Sequence, residues 1–184
     1  DCRIISQRSM GFWKGSGSHD SFYRNVLAEV FGASLTIDRA GDLSGGCINN
    51  ATALHTSGGD FFLKWNAHIP ADMFEKEARG LKLLAGGGDI SVPEVYGSGT
   101  CDGRHYLLMQ LVGSERKADA YWSDFGRALA SMHKENTRHE HGLDHDNYIG
   151  RLYQENTPKR DWATFFIENR LEVQLRLALD NGEV

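Results

Sequence analysis

Residues 61–65 read Phe61-Phe62-Leu63-Lys64-Trp65, an apolar run with one ammonium group inside it. Burying an unpaired ammonium is costly. Lys64 therefore either snorkels to solvent from a strand edge or has an anionic partner. Upstream, Leu43-Ser44-Gly45-Gly46-Cys47-Ile48-Asn49 sets a glycine pair between two extended stretches. Leu35 and Ile37 alternate with polar residues before the pair, and 48–56 suits a strand after it. Ser57-Gly58-Gly59-Asp60 is a turn, so the region reads as three antiparallel strands in a meander. Downstream, 70–85 has helical spacing. Met73, Phe74, Ala78, Leu81 and Leu84 form an apolar stripe, Pro70 lies near the start, and three glycines at 86–88 stop it.

A glycine pair is most simply a hairpin turn. It also lets backbone N–H groups face phosphate oxygens, because no Cβ intervenes. A Walker-type loop would need G-x-x-x-x-G-K-[ST] at the opening of a helix, and this loop lies between strands. A strand–loop–strand glycine flap, a lysine on the third strand and a glutamate on the next helix form the protein-kinase arrangement. Both Glu75 and Glu77 lie on that helix. Glu77 is the expected partner of Lys64, being four residues from both Met73 and Leu81 on the inward stripe; Glu75 is the alternative. Val92 precedes a proline and is extended, 101–103 is a turn, and 106–112 is an apolar strand running into Gly113. That strand would suit a hinge, with adenine bonded to backbone groups of Gln110, Leu111 and Val112 and with Met109 lining the pocket. An ordinary core strand has the same pattern.

Elsewhere the chain changes character. Phe22, Val26, Leu27, Val30 and Phe31 share a helical face after Asp20 and Ser21, both plausible N-caps, and Gly32 ends that run. Residues 121–134 form a helix with Phe125, Leu129 and Met132 on one side. Residues 135–147 are polar and histidine-rich, so they read as a loop. A long amphipathic helix spans 162–180 and ends at Asn181-Gly182. The expected fold is α+β: a kinase-like lobe with a five-stranded antiparallel sheet and a helix, then the first helices of an α lobe. The expected divisions are 1–19, a linker or disordered segment; 20–112, the sheet lobe; 113–119, a hinge; and 120–184, the start of the helical lobe.

The 184 residues carry a formal net charge of −5, which argues against a general nucleic-acid binder. No apolar run approaches the length of a membrane span. Cys2, Cys47 and Cys101 are odd in number and widely spaced, with neither a disulfide framework nor metal-site spacing. A reducing, cytoplasmic setting is the simplest expectation. The histidines between 133 and 145 are too irregularly spaced for a zinc site. Asp144 and Asp146 read instead as helix caps or substrate-side polar groups.

The chain resembles the fructosamine-3-kinase (ketosamine kinase) family, relatives of the aminoglycoside phosphotransferases. The matching residues begin with Gly45-Gly46-Cys47-Ile48-Asn49, Phe61-Phe62-Leu63-Lys64, 73–78 with Gly80-Leu81, and Val92-Pro93. They continue with Gly142-Leu143, Asp146-Asn147-Tyr148-Ile149-Gly150, Asp161-Trp162, Phe165-Phe166, Arg170-Leu171 and Gln174. The resemblance implies transfer of the ATP γ-phosphate to the 3-hydroxyl of a ketosamine, as a small molecule or on a glycated protein, with Mg²⁺. Taken with the kinase-type reading of the glycine pair, the lysine and the hinge strand, the expected ATP-binding residues are Gly45, Gly46, Cys47, Lys64, Glu77, Met109, Gln110, Leu111 and Val112. The resemblance also implies a redox-active Cys47 that links two chains as a homodimer.

The family's catalytic loop has the form His-Gly-Asp-Leu-x-x-x-Asn, and no such run occurs in 1–184. His141-Gly142-Leu143-Asp144-His145-Asp146-Asn147 imitates it with the wrong spacing and precedes the helix that should come first. The base and the metal ligands are therefore expected beyond Val184, and the chain itself is expected to be inactive. The competing reading is a non-catalytic kinase-fold module that binds nucleotide or a partner. A kinase of the same fold for another amino-sugar or choline-like acceptor is a third.

Overall fold

A computed structural model describes residues 17–44, 48–87, 90–113, 116–135 and 137–183. Its centre is a five-stranded antiparallel sheet in the order β1-β2-β3-β5-β4, built from β1 (Ile37–Asp42), β2 (Asn50–Thr56), β3 (Gly59–Asn66), β4 (Val95–Cys101) and β5 (Arg104–Gln110). Turn chemistry fixes two hairpins. Thr56 pairs with Gly59, and the Thr56 hydroxyl accepts the Gly58 N–H at 3.1 Å. Cys101 pairs with Arg104 around Asp102 (φ 49°) and Gly103 (φ 72°). Positive φ at both central residues is the type I′ geometry whose twist matches the strands.

Strand residues alternate between two helices, one on each face of the sheet. Phe61 and Leu63 of β3 and Tyr106 and Leu108 of β5 pack on Phe22, Val26 and Leu27 of α1 (Gly17–Phe31). Their neighbours Phe62, Leu107 and Met109 pack on Phe74 and Ala78 of α2 (Met73–Ala85). This period-two division puts Lys64 on the α2 face. Beyond the sheet follow α3 (Tyr121–Glu135), a short hairpin of β6 (Asn147–Ile149) and β7 (Leu152–Gln154), α4 (Trp162–Phe166), a π-helical stretch (Ile167–Leu171) and α5 (Glu172–Asp180). Among the described residues, no helix is long and apolar enough to cross a membrane.

The α+β class and the five-stranded antiparallel sheet agree with expectation, and three details differ. The first helix begins at Gly17, ahead of the expected caps Asp20 and Ser21, so 17–19 are helical rather than linker. Residues 1–16 lie outside the described residues. The expected helix 162–180 contains a π-helical stretch, where Asn169 and Arg170 turn onto the Glu155 carbonyl at 3.4 and 2.7 Å. Finally, the β6–β7 hairpin was not expected: with three residues per strand it leaves no periodicity to read.

Candidate functional site

Lys64 and Glu77 meet in a cleft of about 940 Å³ on the α2 side of the sheet. The Lys64 ammonium donates to both Glu77 carboxylate oxygens at 2.8 Å and lies 5.7 Å from the centre of the buried Phe74 ring. The pair is partly open to the cleft, with a quarter of the lysine side chain and a third of the glutamate exposed. Around it the cleft is mainly apolar, with Phe62, Leu81 and Met109 among its walls. A cation set in an apolar groove beside a backbone loop can hold an anion attached to a flat apolar group.

Glu75 is exposed, and Glu77 takes the lysine. Met109, Gln110 and Val112 line the cleft; Leu111 is not among its walls. The Gln110 N–H already donates to the Glu94 carbonyl at 2.8 Å, so of Gln110's two backbone groups this one is not free for a ligand. Gly45, Gly46 and Cys47 lie outside the described residues, but Ser44 and Ile48 on either side of them line the cleft. Asp144 and Asp146 cap no helix. Asp144 bonds Arg79 at 3.2 Å and His145 at 2.6 Å, and Asp146 accepts the Asn156 N–H at 2.7 Å and the Tyr153 hydroxyl. These bonds lower the carboxyls of both. Gly142 of the imitation motif is structural: a Cβ there would lie 2.6 Å from the Asn156 carbonyl oxygen.

Two features escaped sequence reasoning. Asn66, buried at the end of β3, donates to the Ile48 carbonyl at 2.7 Å and to Asn49 Oδ1 at 3.1 Å, and its own oxygen accepts the His68 N–H. It anchors the strand that leaves the glycine loop. The only signal was a polar residue closing an apolar strand. The second is the far wall of the cleft, formed by Asn147, Tyr148 and Gly150 of the hairpin. The Tyr148 hydroxyl donates to Asp72 Oδ1 at 2.8 Å. The Lys76 ammonium bonds Asp72 at 2.9 Å and lies 5.0 and 5.1 Å from the Tyr148 and Tyr153 ring centres. Lys76 and Tyr148 together hold the Asp72 carboxyl below the usual aspartate range.

The fructosamine kinase family model matches residues 20–184. The chain belongs to this family. Within it, the chain is similar to the "Protein-ribulosamine 3-kinase, chloroplastic" of Arabidopsis thaliana, at 38 % identity over 167 residues, 89 % of this chain and 50 % of that protein. It is also similar to a "Probable ketoamine kinase" of Synechocystis, at 33 % identity over 152 residues, 83 % of this chain and 52 % of that one. The crystal structure of a "Putative fructosamine-3-kinase" from Haemophilus somnus superposes with a TM-score of 0.79 at 33 % identity, covering 88 % of this chain and 55 % of that one. The chain spans about half the length of the curated relatives it matches.

Proposed function

We propose that the cleft binds ATP as part of an ATP-dependent ketosamine 3-kinase, a reading supported by relatives named as a protein-ribulosamine 3-kinase and a probable ketoamine kinase. One observation carries the reading: the Lys64–Glu77 pair faces a cleft lined by both ends of the glycine loop. In this reading Lys64 holds the α- and β-phosphates, Glu77 fixes Lys64, and Met109 and Val112 receive the adenine. Gly45, Gly46 and Cys47 are proposed to contribute to ATP binding. ATP supplies the phosphoryl group that the 3-hydroxyl of the ketosamine receives. With the whole of α1 included, the lobes are proposed to divide as 17–112 and 120–184, joined by 113–119.

Mg²⁺ fits this chain less well than ATP does. Among the described residues no three His, Cys, Asp or Glu side chains converge as a metal site, and Glu77 is committed to Lys64. The 184 residues are therefore proposed to bind nucleotide without transferring phosphate. Titration with a fluorescent ATP analogue should show saturable binding, weakened at least about tenfold by Lys64→Met. Equal binding by both proteins would overturn the site. Phosphorylation of a ketosamine by residues 1–184 would overturn the proposed inactivity.

Cys47 is proposed to link two chains. Two Cys47 thiols and one hydrogen peroxide would give one disulfide and two waters, and the bond would hinder nucleotide entry. Non-reducing electrophoresis after peroxide should show a dimer that Cys47→Ala abolishes. A dimer that survives the substitution would refute the link.

A further inference from the structure

The β6–β7 hairpin has no place in the reading above, although it forms a wall of the cleft. Polar contacts join the hairpin and Asp144 just before it to one face of α2 and to its N-cap, Asp72. Asp72, Lys76 and Arg79 follow a spacing of four and three, so they lie one above another. Tyr148 holds Asp72, the rings of Tyr148 and Tyr153 hold Lys76, and Asp144 reaches Arg79. The opposite face, with Phe74 and Ala78, packs on Leu107 and Met109 of the sheet. Glu77 projects between the two faces, towards Lys64.

Apolar packing is non-directional, so the packing of Phe74 and Ala78 on the sheet constrains the roll of α2 less sharply than hydrogen bonds and ion pairs do. A carboxylate tip about 6 Å from the axis moves about 2 Å for a roll of about 20°. Two bonds of 2.8 Å do not survive that displacement. Directional contacts fix a roll angle more closely than packing does, and the polar face supplies them. Lys76 is well placed for this, since its side chain is only 17 % exposed and cation–π attraction strengthens with desolvation. The turn of the hairpin also lies against Ile48: a Cβ on Gly150 would sit 3.3 Å from Ile48 Cδ1.

We propose that Tyr148 and Tyr153, acting through Asp72 and Lys76, are positioning residues that set the roll of α2 and so hold Glu77 on Lys64. The hairpin thereby couples the region after α3 to the phosphate-holding lysine. Its consequence for ATP rests on the nucleotide-binding reading; its effect on the ion pair does not.

The test uses the full chain with ¹³C-labelled glutamate and follows the Glu77 side-chain carboxyl by NMR. Lys64→Ala provides the signal of the broken pair. Asp72→Ala removes the acceptor without touching the walls of the cleft, and Tyr148→Phe removes one hydroxyl and keeps the ring. In both variants the Glu77 signal should move or broaden towards the Lys64→Ala position while the other glutamate signals stay. Folded variants with an unchanged Glu77 signal would overturn the proposal. Affinity for a fluorescent ATP analogue gives the second readout. Asp72→Ala should weaken it about fivefold, and Glu77→Gln should abolish that difference, because coupled residues are non-additive. An equal loss with Gln at position 77 would show that Asp72 does not act through Glu77. If the carboxyl moves as expected but no variant or wild type binds nucleotide, the positioning stands and the ATP reading falls.

Discussion

Lys64 was the residue whose surroundings had to explain it, and the bidentate contact with Glu77 does so. Asn66 is less conspicuous, but its removal has a definite cost. Asn66→Ala leaves the Ile48 carbonyl and Asn49 without their buried donor. It should destabilise the fold by about 1–3 kcal/mol in urea unfolding and speed amide exchange at Ile48 and Asn49. Unchanged stability would mean that the anchor is dispensable. Asp72 and Asp146 predict a pH dependence. Asp72 faces Lys76 and Tyr148, while Asp146 faces Tyr153, the Asn156 N–H, Lys76 and His145. Both carboxyls lie below their ordinary value of 3.8 when folded. Their stabilising contribution is therefore complete above that value and is lost as pH falls through the lower folded values. Amide signals of residues 147–154 should hold their positions from about pH 5 to the ordinary aspartate range and move only below it. Movement at higher pH would contradict the docking described.

At the scale of elements, the sheet and α2 were legible because each has a period. Alternation in 61–65 and the stripe Met73, Phe74, Ala78, Leu81 state which faces are buried, and glycines mark the turns. The hairpin at 147–154 was not legible as structure. Asp146, Asn147 and Tyr148 act through Asn156, Tyr153 and Asp72, and such partners are set by tertiary contact, not by spacing. Two glycines separate these influences. Gly142 has φ 135° and a carbonyl oxygen in the way, so Gly142→Ala should cost about 1–3 kcal/mol. Gly126 lies within α3 with nothing within 4 Å of a Cβ, so Gly126→Ala should stabilise by about 0.5–1 kcal/mol. Thermal unfolding of the two variants should move in opposite directions. The same direction for both would contradict the local geometry.

At the scale of the molecule, the two ends of the chain differ. The sheet lobe buries large side chains on both faces, whereas α3 and α5 bury none. Trp122, Leu171, Leu175 and Leu179 are each more than half exposed. Apolar surface of that kind associates. Sedimentation should show a concentration-dependent shift to larger species, reduced by Leu175→Glu with Leu179→Glu; a monomer at all concentrations would contradict it. The cleft lies between the sheet, α2 and the hairpin. The most direct measurement of nucleotide binding there is ¹H–¹⁵N NMR of the labelled chain titrated with a non-hydrolysable ATP analogue. Shifts should centre on Ile48, Asn49, Lys64, Met109 and Val112 and be absent in Lys64→Met. Shifts centred elsewhere, or identical in the variant, would contradict binding in the cleft.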